Sequence, residues 1–102
     1  MKIGADFIVK EKIDDFVILD LGCGYGRVGD FFSAKFRCIF YGIEINKNFI
    51  DYLKIKRSNK INYNLYNLDL KNKLKREKIF KKIKSHKKKI IIFISDPFDI
   101  YT

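Results

Sequence analysis

The chain has 102 residues, with 22 lysines and arginines against 12 acids and a net charge of +10, enough for one domain and no second. Its longest apolar run, Ile90 to Ile94, excludes a membrane-spanning helix, and charges at Lys2, Asp6, Lys10 and Glu11 leave no apolar core for a secretory signal. Cys23 and Cys38 form neither a disulfide framework nor a metal-ligand spacing, so buried free thiols in a cytoplasmic protein are expected.

In chain order, residues 1–15 carry little signal. The run Phe16 to Leu21 predicts a buried strand that enters Gly22-Cys23-Gly24-Tyr25-Gly26. Glycines at alternate positions let the backbone turn sharply and approach a ligand where a Cβ would collide. A helix over 27–36 follows, its free N–H groups facing the same ligand. Asp20, two residues before the first glycine, suits a cationic ligand better than a phosphate. The same residues also fit a second frame, Gly24-Tyr25-Gly26-Arg27-Val28-Gly29, the G-x-G-x-x-G of dinucleotide sites such as those for NAD. In that frame a pyrophosphate would lie near Asp20 and be repelled.

A second strand over 38–44 ends at Glu44, whose carboxylate can accept both hydroxyls of a ribose; this acid serves either kind of cofactor. Asn46 is placed to cap a helix over 46–58, with Phe49, Ile50 and Leu53 as its apolar stripe. A third strand over 61–68 stops at Asp69, which is either a ligand acceptor or an ordinary aspartate in a turn. The next helix, 71–86, is expected to turn Leu74, Ile79, Phe80 and Ile83 inward. Residues 71–89 hold eleven basic residues and one acid, Glu77, so the whole charge excess sits there. This segment is either a contact for RNA or DNA phosphates or a reflection of composition, since lysine outnumbers arginine 18 to 4. His86, inside the lysine run, reads as a solvated residue. The strand over 90–95 is the clearest buried strand in the chain. It ends at Asp96-Pro97-Phe98, where a proline stops the ladder.

These elements alternate as βαβαβαβ. Right-handed crossovers put the strands in order 3-2-1-4, an α/β doubly wound parallel sheet with its crevice where the order reverses.

Asp20-x-Gly22-x-Gly24-x-Gly26, the acids Glu44 and Asp69, and Asp96-Pro97-Phe98 occur in the order and spacing of class I S-adenosylmethionine-dependent methyltransferases, which the chain resembles from Phe16 to Phe98. It is similar to small members whose loop reads Gly-Cys-Gly-x-Gly-Arg-Val and whose fourth motif is Asn-Pro-Phe; here Tyr25 stands at x and Asp96 replaces the asparagine. The resemblance implies a Rossmann-like fold binding S-adenosyl-L-methionine without a metal. It implies that Asp20, Gly22, Gly24 and Gly26 hold the methionine part, Glu44 the ribose and Asp69 the adenine, with Ile45 packed on the adenine face. Asp96 and the Pro97 carbonyl would accept hydrogens of an amine or base while Phe98 stacks on it, although many amino-group methyltransferases carry a second proline where Phe98 stands. A plain strand stop beside a solvated aspartate accounts for the same residues. The family completes a seven-stranded sheet, and this sequence supplies four strands, leaving the edge of strand 90–95 open. A partner or second copy on that edge, a truncated chain, and a noncatalytic basic module with a vestigial pocket are the alternatives.

Overall fold

The computed structural model describes residues 2–94. Four runs rich in β-branched and aromatic residues form strands: β1 (Phe16–Leu21), β2 (Cys38–Glu44), β3 (Tyr63–Asn67) and β4 (Ile90–Ile94). All pair in parallel in the order β3-β2-β1-β4. Helices α1 (Lys2–Lys10), α2 (Arg27–Lys35), α3 (Lys47–Lys56) and α4 (Lys73–Ser85) cover its faces. The chain is therefore an α/β Rossmann-like domain with a doubly wound parallel sheet. Among the described residues no helix is long and apolar enough to cross a membrane.

Strand alternation divides the core. Phe16 and Ile18 of β1 point with Phe40 of β2 to one face, where they meet Ile8, Phe32, Ile50 and Leu53 from α1, α2 and α3. Val17 and Leu19 point to the other, against Tyr41, Ile43, Leu68, and Ile79 and Ile83 of α4. Each fully buried Leu, Ile or Phe stabilises the fold by about 1.5–3 kcal/mol relative to exposure. Asn46 and Asn72 cap α3 and α4, their side chains accepting from the amides of Asn48 and Lys75. Helix α2 lies close on β2 because residue 29 has no side chain: a Cβ there would stand 2.8 Å from the Phe40 ring.

Several expectations fail for physical reasons. Residues 1–15 are not idle: α1 buries Ile8 in the core, and the turn after it is closed by the Ile13 amide on the Ile8 carbonyl. Leu74 is 75% exposed and does not belong to the inward stripe of α4. The five-residue step from Leu74 to Ile79 rotates it to the opposite side of a 3.6-residue helix. His86 is half-buried at the end of α4, its Nε2 2.7 Å from the hydroxyl of buried Tyr41, so it is not simply solvated. Strand β4 forms as expected but is not a buried strand. It is an edge with Ile92 55% and Ile94 70% exposed, because α4 packs over β1, β2 and β3 and no described element covers them. Phe93, on the other face, does pack, its ring 5.3 Å from that of Phe32.

Candidate functional site

The site is built where β1 and β2 end. After Leu21 the backbone passes through positive φ at Gly22, Gly24 and Gly26, at 86°, 51° and 77°. This path folds the loop back onto β2: the amides of Gly22 and Cys23 both donate to the Ile43 carbonyl, at 2.7 and 3.1 Å. Glu44 then clamps both sides of the crevice. Its Oε1 accepts from the Gly24 amide at 3.0 Å and its Oε2 from the Asn46 amide at 2.8 Å. The loop amides of residues 22–24 are therefore satisfied within the protein, in contrast to a loop whose N–H groups await a ligand. A carboxylate oxygen has two acceptor sites, so Glu44 retains one on each oxygen.

A cleft of about 710 Å³ opens at the C-terminal ends of the strands. Leu21 and Gly22 form one wall, Glu44 and Ile45 the next, Phe49 of α3 and the segment Leu68 to Leu70 the far side, and Ile94 the β4 side. Three of the expected residues, Glu44, Ile45 and Asp69, are brought together here with Gly22. Ile45 is exposed, its side chain available to an apolar surface. Asp69 lines the cleft and also does the work of a turn aspartate, accepting from the Lys71 amide at 2.9 Å. Gly24, Gly26 and Asp20 do not line it. Asp96, Pro97 and Phe98 lie outside the described residues.

Asp20 is 1% exposed, on the α2 and α3 face of the sheet opposite Gly42. Cys23 senses its charge: burial, then the charges of Asp20 and Glu44, push the thiol up to about 12. A thiol so raised stays protonated and inert.

The outer side of the loop is held by a polar cluster that sequence patterning did not reveal. Asp30 of α2 accepts from Arg57 Nε at 2.8 Å and Nη2 at 2.7 Å, a bidentate pair, with Lys60 Nζ at 3.5 Å. The Tyr63 hydroxyl lies 3.1 Å from Asp30 Oδ1 and 3.4 Å from the Gly26 carbonyl. The hydrogen bonds from Arg57 hold the Asp30 carboxyl below its usual range, while burial raises Tyr63. Gly26 is required here: a Cβ would stand 2.5 Å from the Tyr63 hydroxyl, at a φ that side chains rarely adopt. Two further residues were missed. Asn67 Nδ2 donates to the carbonyls of Glu44 and Ile45 at 3.0 and 2.9 Å, fixing the turn that presents both. Phe49, read only as core, forms cleft wall and packs edge-on with Tyr25 at 4.5 Å.

No family model matches the chain, and no curated protein does. Among solved structures, it is similar to coclaurine N-methyltransferase in a crystal structure bound to N-methylheliamine and SAH, with a TM-score of 0.53 and 24% identity. The match covers 66% of this chain and 21% of that one, so this chain spans about a fifth of its neighbour's length. Likeness at this identity bears on the fold.

Proposed function

We propose that this domain binds S-adenosyl-L-methionine in the cleft at the strand ends and serves methyl transfer to an amine or base acceptor in the cytoplasm. The observation that carries the reading is the disposition of acids about the glycine loop, with buried Asp20 behind it, Glu44 clamping it and Asp69 across the cleft. Such a set of acceptors fits a cationic ligand bearing a ribose and an amino-substituted base, and opposes a pyrophosphate. The SAH in the structural neighbour supports the same choice.

When bound, the cofactor supplies a methyl group already activated on a sulfonium. The protein's work is then alignment and exclusion of water, which can supply about 7–11 kcal/mol of such a barrier. Glu44 has an open acceptor site on each oxygen for the ribose hydroxyls. Asp69 accepts from the base amino group, and Ile45 and Phe49 offer it apolar surface. Asp20, with Gly22, Gly24 and Gly26, favours positive charge beside the loop. On the resemblance alone, Asp96 and the Pro97 carbonyl orient the acceptor nitrogen and Phe98 stacks against it.

One observation favours the dinucleotide frame: Gly29 makes the close helix-to-sheet contact that the third glycine of G-x-G-x-x-G provides. Thermal unfolding separates the two. S-adenosylhomocysteine at 100 times its dissociation constant should add about 2.7 kcal/mol of stability and raise the melting temperature, with no shift from NAD. A shift with NAD and none with S-adenosylhomocysteine would reverse the assignment.

A further inference from the structure

We propose that the β3 edge and one face of α4 together form a sequence-independent binding track for single-stranded nucleic acid. Lys75, Lys78 and Lys82 recur at i, i+3 and i+7, so they share one side of α4, and all are exposed. Lys82 Nζ lies 3.4 Å from the Tyr66 hydroxyl, which turns that side toward β3. Tyr66 in turn lines a groove of about 300 Å³ along the edge strand, with Lys54, Arg57, Lys60 and Asn64. Arg57 and Lys60 both pair with Asp30, so Lys54 is the exposed charge that the groove adds to the three lysines of α4. Two basic segments distant in sequence thus meet around one aromatic ring. The single acid of α4, Glu77, pairs with Lys73 at 4.0 Å and lies round the helix from the stripe.

The chemistry selects the partner. Ile79 and Ile83 face the core, and Leu74 stands alone among the lysines, so α4 has no apolar face to sink into a lipid interface. Lysines in a row neutralise phosphates without reading bases, and a half-exposed tyrosine beside them offers a stacking platform that only an unpaired base can use. Lys71 follows directly on Leu68 to Leu70 of the cleft wall, so a strand lying along α4 leads toward the cleft. Binding to the track stands apart from the cofactor reading and is tested without cofactor.

The experiment is fluorescence anisotropy of the intact chain with a labelled oligouridylate of about 12 nucleotides, the matching duplex, and anionic vesicles, over a range of salt. Four neutralised phosphates predict a log–log salt slope of about −3 for the single strand. Lys75→Ala/Lys78→Ala/Lys82→Ala should weaken binding at least about tenfold and flatten the slope by about 2. Lys10→Ala/Lys35→Ala/Lys47→Ala, removing equal charge elsewhere, should change affinity less than about threefold. Tyr66→Leu should lose about tenfold on the single strand and nothing on the duplex, with Tyr66→Phe close to wild type. Equal losses in the two lysine triples, tighter binding to duplex or vesicles than to the single strand, or no binding at all would each overturn the track. Should Tyr66→Leu fail to fold, the paired lysine triples decide the matter alone.

Discussion

Asp30→Ala is expected to destabilise the fold by about 2 kcal/mol at neutral pH, with the difference from wild type narrowing as the solution is made acid. Removing the carboxylate takes away a bidentate charged contact, each hydrogen bond of this kind contributing about 1.5–3 kcal/mol when well shielded. The side chains of Arg57 and Asp30 are 21% and 33% exposed, so solvent screening places the effect toward the lower figure. The sign of the pH dependence follows from the depressed Asp30 carboxyl. Its stabilising contribution is fully present above the unfolded-state value of about 3.9 and is lost as pH falls below that through the lower folded value. Urea unfolding of wild type and variant across this range checks it. A deficit that stays constant with pH would mean that the loss is one of packing, and that Asp30 does not hold Arg57 and Tyr63 by charge.

Glu44→Ala is expected to weaken S-adenosylhomocysteine binding about 100-fold, with Glu44→Gln losing less. The carboxylate has two tasks that alanine cannot perform. It fixes the Gly24 and Asn46 amides on either side of the crevice, and it offers acceptor sites to the ribose. Loss of two charged hydrogen bonds at about 1.5 kcal/mol each amounts to roughly two factors of ten. Glutamine keeps one oxygen acceptor and restores part of the geometry. Calorimetric titration of the three proteins, each shown to be folded by circular dichroism, measures the effect. Wild-type affinity in the alanine variant would remove Glu44 from the ribose site.

The sheet order was legible because its signals are local and agree with one another. Apolar runs such as Phe16 to Leu19, glycines with positive φ, and asparagine caps each dictate their own element, and right-handed crossovers then leave one topology. Glu44 and Asp69 were legible for a related reason, since Glu44 ends β2 and Asp69 follows β3 by two residues, at the C-terminal rim of the sheet where the cleft opens. What remained hidden depends on partners far away in sequence. The apolar run of β4 carries no sign that α4 passes over β1 to β3 and leaves Ile92 and Ile94 uncovered. Asp30, Arg57 and Tyr63 are each unremarkable surface residue types until α2, α3 and β3 bring them together. His86 looked solvated because its neighbours are lysines, whereas its partner, Tyr41, is 45 residues away. The acceptors of the Gly22, Cys23 and Gly24 amides were hidden in the same way, since Ile43 and Glu44 lie on the next strand.

The proposed site for S-adenosyl-L-methionine lies among the acids around the glycine loop, at the strand ends. Its most direct test is a titration of isotope-labelled protein with S-adenosylhomocysteine, following the backbone amide resonances. The amides of Gly22, Gly24, Glu44, Ile45 and Asp69 are expected to shift together, saturating with a single dissociation constant, while those of α1 stay still and NAD moves none of them. A response to NAD at these amides, or no response to S-adenosylhomocysteine, would contradict the proposed site.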